Sequence, residues 1–227
     1  MSIIKKCWTC HNVILWLLLM SAFGCEEDKV SFTGEKVTDI DGNVYYAVPI
    51  GNQVWMGEDL KVTKYNDGTP IPNITDMSAW QYSTSGACCW YNNQKEWGTL
   101  YNWNAINSGI LSPAGWHVAT DADWATLIDY LGGENIAGGK MKEAGSIHWP
   151  SPNTGATNES RFAALPGGFR RGDGTFSSFG GGVYWWSSTE FDAANSWTRY
   201  IYWDKSVIYS GHYDKLDGHS VRCVKDN

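Results

Sequence analysis

The sequence predicts an α+β fold, with twisted antiparallel sheets at both ends of the chain, two main helices in the middle and long loops. Three observations predict it. A helical period opens in mid-chain, where Trp124, Leu127, Ile128 and Leu131 fall at i, i+3, i+4 and i+7. The last third consists of short alternating runs separated by Gly-rich turns. The chain also carries fourteen Trp, twelve Tyr and twenty-five Gly among 227 residues, so large rings must fill its core between tight turns. A formal net charge of −7, with no basic stripe, excludes nucleic-acid binding by phosphate neutralisation.

The first 24 residues read as a leader. Lys5 and Lys6 precede an apolar run over residues 13–20, too short to span a bilayer but suited to a secretory signal. Ala22-Phe23-Gly24-Cys25 resembles a bacterial lipobox, in which Cys25 becomes the lipidated first residue and anchors the chain to the membrane. Residues 25–36 then form an acidic linker. Its Glu26-Glu27-Asp28-Lys29 resembles the export signal of surface lipoproteins in the Bacteroidetes, which places the mature chain on the outer membrane, facing outward. Cys7-Trp8-Thr9-Cys10-His11 matches a haem-attachment pattern, but it precedes the apolar run and leaves with the leader.

Residues 37–227 read as one domain. A hairpin opens it, with Asp41-Gly42 as the turn, and Gly51-Asn52 turns the chain again into Gln53-Val54-Trp55-Met56. Residues 70–87 lack periodicity and read as a surface excursion. The spacing of Leu100, Trp103 and Ile106 predicts a helix from about Gly98 to Asn107. A Trp-centred strand, Gly115-Trp116-His117-Val118, leads to Thr120. There the hydroxyl can accept the Asp123 amide hydrogen and start the second helix, with Asp121 and Asp123 at the positive end of its dipole. Gly132-Gly133 stops that helix. A short helical turn is expected over 138–143, and a long loop over 145–160 of the kind that often carries function. Strands are expected over 161–165, 183–189, 197–202, 207–209 and 220–224.

Nine motifs in order then carry a family resemblance. They are Asp39-Ile40-Asp41-Gly42-Asn43, Gln53-Val54-Trp55-Met56, Cys89-Trp90-Tyr91-Asn92-Asn93, Leu100-Tyr101-Asn102-Trp103, Gly115-Trp116-His117-Val118, Gly155-Ala156-Thr157-Asn158-Glu159-Ser160, Ala164-Leu165-Pro166-Gly167-Gly168, Tyr184-Trp185-Trp186-Ser187-Ser188-Thr189 and Ser220-Val221-Arg222-Cys223-Val224. Together they resemble the Fibrobacter succinogenes major paralogous domain. The resemblance implies a C-type-lectin-like fold akin to the sulfatase-modifying proteins. It implies no settled activity. Ala119 stands where that family usually has Pro, and Asp123 where it has Glu.

Catalytic chemistry finds little support. Cys88, Cys89 and Cys223 are an odd set in an oxidising compartment. Cys223 either pairs with Cys88 or Cys89 or stays buried and reduced, and Cys88-Cys89 is a further, strained alternative. A formylglycine-type thiol enzyme would need a second Cys near Cys223. The histidines lack metal spacing, and His117 reads as a satisfied interior residue. Asp121 and Asp123 are explained by capping. C-type-lectin-like loops can hold Ca²⁺, and Asn153, Asn158 and Glu159 offer oxygens for a structural ion or for pinning the loop. Rings at Trp149, Tyr184, Trp197, Tyr202, Trp203, Tyr209 and Tyr213 could stack on sugar faces.

The sequence is therefore read as a surface-anchored, non-catalytic recognition module for a glycan or a protein partner. The expected ligand-binding set is Trp149, Asn153, Asn158, Glu159, Trp197, Trp203, Tyr209 and Tyr213, with no cofactor beyond the Ca²⁺ considered above. The alternatives are a structural or adhesive fimbria-associated component and an unrecognised hydrolase.

Overall fold

The structure, a computed structural model, describes residues 34–226. The leader, the haem-type pattern, Cys25 and most of the linker lie outside the described residues. From Gly34 onward the chain forms one compact unit.

The opening meander forms as expected. β1 (Lys36–Thr38) and β2 (Val44–Ile50) pair antiparallel around Asp41-Gly42, and β2 pairs with β3 (Gln53–Met56). Gly42 sits at φ 86°, the left-handed region this turn requires. Asp39 locks the turn by accepting from the Asp41 and Asn43 amides and from the Tyr45 hydroxyl.

The next stretch departs from expectation twice. Residues 70–87 hold a helix, α1 (Met77–Gln81), capped by Asp76. Its Trp80 is 1% exposed and donates to the Leu216 carbonyl at 2.8 Å, so one ring ties this segment to the far end of the chain. The helix expected from Gly98 instead begins with a strand. After β4 (Cys88–Cys89), β5 (Leu100–Asn102) is extended and fully buried, and only α2 (Trp103–Ile106) is helical. Asn102 decides the boundary, because its Oδ1 accepts the Ala105 amide and caps α2, as well as the Ala87 amide of the neighbouring segment. A spacing of three across Leu100 and Trp103 cannot reveal this change of backbone.

The central joint follows the reading closely. β6 (Trp116–Val118) leads through Thr120 into α3 (Asp121–Tyr130). The Thr120 hydroxyl accepts from the Asp123 amide at 3.1 Å, and Asp123 Oδ2 accepts from the Thr120 amide at 2.9 Å, a reciprocal capping box. Trp124, Leu127, Ile128 and Leu131 are all buried, and Gly132 and Gly133 have positive φ. The expected helical turn near 138 belongs to a longer helix, α4 (Glu134–Met141).

The remaining elements are β7 (Phe169–Arg170), β8 (Phe176–Ser177), β9 (Gly182–Glu190), β10 (Asn195–Tyr202), β11 (Ile208–Asp214), β12 (Gly218–His219) and β13 (Cys223–Lys225). Residues 161–165 are not a strand. Arg161 and Ala163 have positive φ, which a continuous ladder does not allow, and only Ala164 makes a bridge, to Lys142.

Three sheets result, with orders β1-β2-β3-β13-β6, β4-β5-β12-β7-β8 and β11-β10-β9. Every strand pair within them is antiparallel, which with the four α-helices among the described residues makes the protein α+β. One core joins Trp55, Trp124, Phe162 and Trp185, with ring centroids 4.9–5.9 Å apart. A second holds Tyr45, Met56, Tyr101, Trp103 and Trp186. Arg222 crosses between them. It ion-pairs with buried Asp59, donates to the Met56 and Phe162 carbonyls at 2.8 Å, and lies 3.9 Å over the Phe162 ring. The Trp185 indole also donates to Asp59. This buried charge is fully partnered, as a dry interior requires.

Candidate functional site

The three-stranded sheet has two unlike faces because strand side chains alternate. Val183 and Trp185 on β9, Ile201 on β10 and Ile208 on β11 point into the first core. The opposite face is tyrosine. In the register, Tyr200 lies between Tyr184 and Tyr209. Their rings stack across the strands at 5.1 Å and 5.3 Å, with interplanar angles of 15° and 13°. Tyr202 reaches the Tyr184 hydroxyl at 2.7 Å, and Tyr213 stands edge-on to Tyr184 and Tyr200. Gly211 faces Thr198 in this array, where a Cβ would come within 3.2 Å of the Tyr200 ring, so glycine leaves the rings room to pack. Tyr184 is buried, while Tyr200, Tyr202, Tyr209 and Tyr213 are half-buried. Burial raises the pKa of Tyr200, Tyr202 and Tyr213, so these hydroxyls stay protonated at neutral pH, able both to donate and to accept.

Beside this array lies a cleft of about 720 Å³. Tyr184, Tyr202, Tyr213 and Phe169 form its aromatic wall, and Asp173, Asp214 and Asp217 its acidic side, with Arg171 at the edge. Asp217 is 8% exposed and accepts the Gly172 amide hydrogen at 2.6 Å. Burial pushes its carboxyl up to about 7, despite that hydrogen bond. Behind it, His219 is fully buried among Phe169, Tyr184, Trp186 and Tyr213. Its Nε2 has no hydrogen-bond partner and stands 3.9 Å from Asp217 Oδ2. Burial lowers its pKa to about 3, so the ring is neutral.

The expected site residues fall in different places. Tyr213 lines the cleft and Tyr209 belongs to the stack. Trp203 is half-buried and packs against the first core at the turn after β10. Trp197 lies on the opposite face of β10, opposite His212 in register and edge-on to Phe191 at 4.9 Å. Trp149 does not belong to a binding surface. It is 1% exposed in the core, its indole donating to the Ala164 carbonyl.

The three side chains with oxygens proposed for Ca²⁺ have these partners. Asn153 donates its amide to the Glu143 and Gly145 carbonyls, leaving Oδ1 buried without a partner. Asn158 accepts the Ala163 amide hydrogen, and Glu159 pairs with Lys140 at 2.9 Å. Two of the three are thus engaged in pinning the loop. The loop has another anchor, Lys142. Its ammonium is buried and donates to the carbonyls of Thr154, Tyr202, Trp203 and Lys205 at 2.9–3.2 Å. A lysine here occupies the kind of oxygen cage that a metal ion would otherwise fill. Among the described residues, no group of three His, Cys, Asp or Glu side chains is arranged to hold a metal.

His117 is satisfied but not interior. It is half-exposed between Asp226 and Asp123, at 2.7 Å and 3.1 Å. Burial works against its charge, yet these two hydrogen bonds raise its pKa overall. Cys88, Cys89 and Cys223 are all buried free thiols. Burial pushes Cys88 up to about 12, Cys89 up to about 11 and Cys223 higher still, so none is poised as a nucleophile.

Sequence reasoning missed Tyr200, Phe169 and the three carboxylates. The alternation of Tyr200 and Tyr202 on β10 was a readable signal for one shared face. The carboxylates sit in turns that only the tertiary fold brings together.

These features define the class: an α+β protein in which one antiparallel sheet backs the core and presents an aromatic, acid-lined cleft. The family model of the Fibrobacter succinogenes major domain matches residues 48–225, and the chain belongs to that family. No curated protein and no solved structure matches it significantly.

Proposed function

We propose that this protein is a non-catalytic recognition module that binds a glycan through the tyrosine face of β9, β10 and β11. One observation carries the reading. Half-buried Tyr202 and Tyr213, whose hydroxyls stay protonated, line with Tyr184 a cleft large enough for one or two sugar residues, and the stacked rings of Tyr200 and Tyr209 extend the aromatic face beside it. Flat apolar faces ringed by hydrogen-bonding groups match the alternating apolar and polar faces of a pyranose. The C-type-lectin-like relationship stands as part of this proposal. It is supported by the ordered motifs and by the closing strand β13, which pairs with both β3 and β6.

The module is anchored through lipidated Cys25 to the outer membrane and faces outward. The support is the charged and apolar leader, the lipobox-like Ala22-Phe23-Gly24-Cys25 and the acidic residues after it. Among the described residues, no helix is long and apolar enough to cross a membrane. Fatty-acid labelling of the wild type but not of Cys25→Ala, with protease sensitivity on intact cells, tests the anchor and its orientation.

Glycan-array binding by the full chain tests the site. Tyr200→Ala and Tyr202→Ala should each weaken binding at least tenfold, while Trp197→Ala on the opposite face should not. Binding that is indifferent to the tyrosines, or absent across host and plant glycans, would remove this reading.

A further inference from the structure

The aromatic wall explains how a sugar could lie in the cleft. It does not explain the three carboxylates facing it. Among the described residues, none of Asp173, Asp214 and Asp217 is in salt-bridge contact with a Lys or Arg. Arg171 is the one cationic side chain in the lining. It is held at the edge, donating to the Ser177 hydroxyl and lying 5.9 Å over the Phe169 ring.

The floor is more telling than the rim. Asp217 is more than nine-tenths buried, yet the ring 3.9 Å from its Oδ2, His219, is neutral and has an unpartnered Nε2. With no Lys or Arg among the described residues in contact and only the more distant charge of Arg171 to favour ionisation, the buried carboxyl keeps its proton near neutrality, and a cation seated beside it would stabilise the anion in the proton's place. The Tyr and Phe faces add a second preference for cations, because an aromatic ring attracts positive charge over its face.

We infer that the cleft takes a glycan carrying a free amine, with the ammonium seated between the tyrosine rings and the carboxylates of Asp173, Asp214 and Asp217. This inference rests on the glycan-binding reading above and specifies its ligand class. Arg171 would repel the ammonium from the outer edge and direct it inward, toward Asp217. The bound cation favours the ionised carboxylate, so seating it drives a proton off Asp217.

The test uses the full chain in detergent and titration calorimetry at pH 6.5. The probes are a glucosamine tetramer, its fully N-acetylated counterpart and an N-trimethylated tetramer, whose charge does not titrate. The two cationic tetramers should bind at least tenfold more tightly than the acetylated one, with the preference shrinking in high salt. The trimethylated tetramer should also release protons, seen as a dependence of binding heat on buffer ionisation. Asp217→Asn, which keeps an acceptor for Gly172, should abolish both the proton release and most of the preference. Equal, tyrosine-dependent binding of charged and acetylated tetramers would overturn the amine and leave the glycan reading standing. Failure of all three to bind, together with a silent glycan array, would overturn both. Proton release that persists in Asp217→Asn would overturn the role given to Asp217.

Discussion

Replacing Lys142 with Met removes an ammonium and leaves a side chain of similar length. Four carbonyls lose a donor, but not equally. The Thr154 carbonyl keeps the Ser206 hydroxyl at 3.3 Å, and the Trp203 carbonyl keeps the Thr154 amide at 2.8 Å. The Tyr202 carbonyl keeps only a long contact, 3.5 Å from the Lys205 amide. The Lys205 carbonyl keeps no other donor among the described residues. Two carbonyls are therefore stranded, at about 1–3 kcal/mol each, and the expected loss is roughly 3 kcal/mol. Urea unfolding at pH 7 measures it directly. Hydrogen exchange gives the local readout, because the Thr154 and Gly139 amides donate across this junction and should lose protection first. EDTA should leave the wild-type unfolding midpoint unchanged, since the cage holds its own cation. A loss under about 1 kcal/mol, or a gain, would refute the reasoning. It would mean that relief from burying the charge outweighs the stranded carbonyls.

Three further outcomes follow from the same geometry. Asp217 has its pKa raised from 3.8 to about 7, so it lowers stability as pH rises through that window. His219 has its pKa lowered from 6.5 to about 3, so it lowers stability as pH falls through its own window. The two slopes oppose between about pH 4 and 6.5. Asp217→Asn should raise stability at pH 8 by up to about 4 kcal/mol, and should expose the histidine slope as a loss of roughly 3 kcal/mol on acidification from 6.5 to 4. Denaturation across pH checks both, and a variant whose profile parallels the wild type would contradict the assignment. Gly139→Ala should destabilise by about 1–3 kcal/mol by thermal unfolding, although Ala favours a helix by about 1 kcal/mol, because its Cβ would lie 2.5 Å from the Gly155 carbonyl oxygen. A rise in melting temperature would show that the loop yields to the methyl group. Finally, Cys88, Cys89 and Cys223 should resist alkylation at pH 8 until denaturant is added, and mass spectrometry should then find three new adducts per described domain. Rapid labelling of the native chain would show that these thiols are not buried as described.

What was legible in the sequence was whatever local chemistry decides. The Asp41-Gly42 turn, the Thr120 cap and the Gly132-Gly133 stop each rest on a side chain or a φ value that acts within a few residues, and each appears where it was read. The misreadings share a cause. Residues 70–87 looked loose because one buried ring, Trp80, orders them from a distance of 136 residues along the chain. The strand β5 was hidden because Asn102 ends it and caps α2 in a single residue. Residues 161–165 looked like a strand by composition, yet Phe162 is fixed by the core and by Arg222 while its neighbours turn through positive φ. The site was half-legible for a similar reason. Aromatic residues near the strands could be named, but which were core depended on sheet parity. Parity on β10 brings Tyr200 onto the panel, Trp149 is drawn from its loop into the first core, and the acidic side of the cleft comes from two turns far apart in sequence, 171–175 and 214–217.

Parity also bears on how such a protein can diversify. On β9, β10 and β11 the inward positions hold the tryptophan core, while the intervening positions form the tyrosine panel. A substitution on the panel touches ligand and neighbouring rings but not Trp124, Trp185 or Phe162. New ligand preferences can therefore arise from single replacements at positions 200, 202 or 209 without loss of the scaffold, whereas Tyr213 also packs against the second core and His219. A one-residue insertion in any of the three strands would do the reverse, sending tyrosines inward and core residues to solvent. Among relatives of this chain, exchanges of residue should therefore be frequent at the panel positions, while changes of length are confined to the turns.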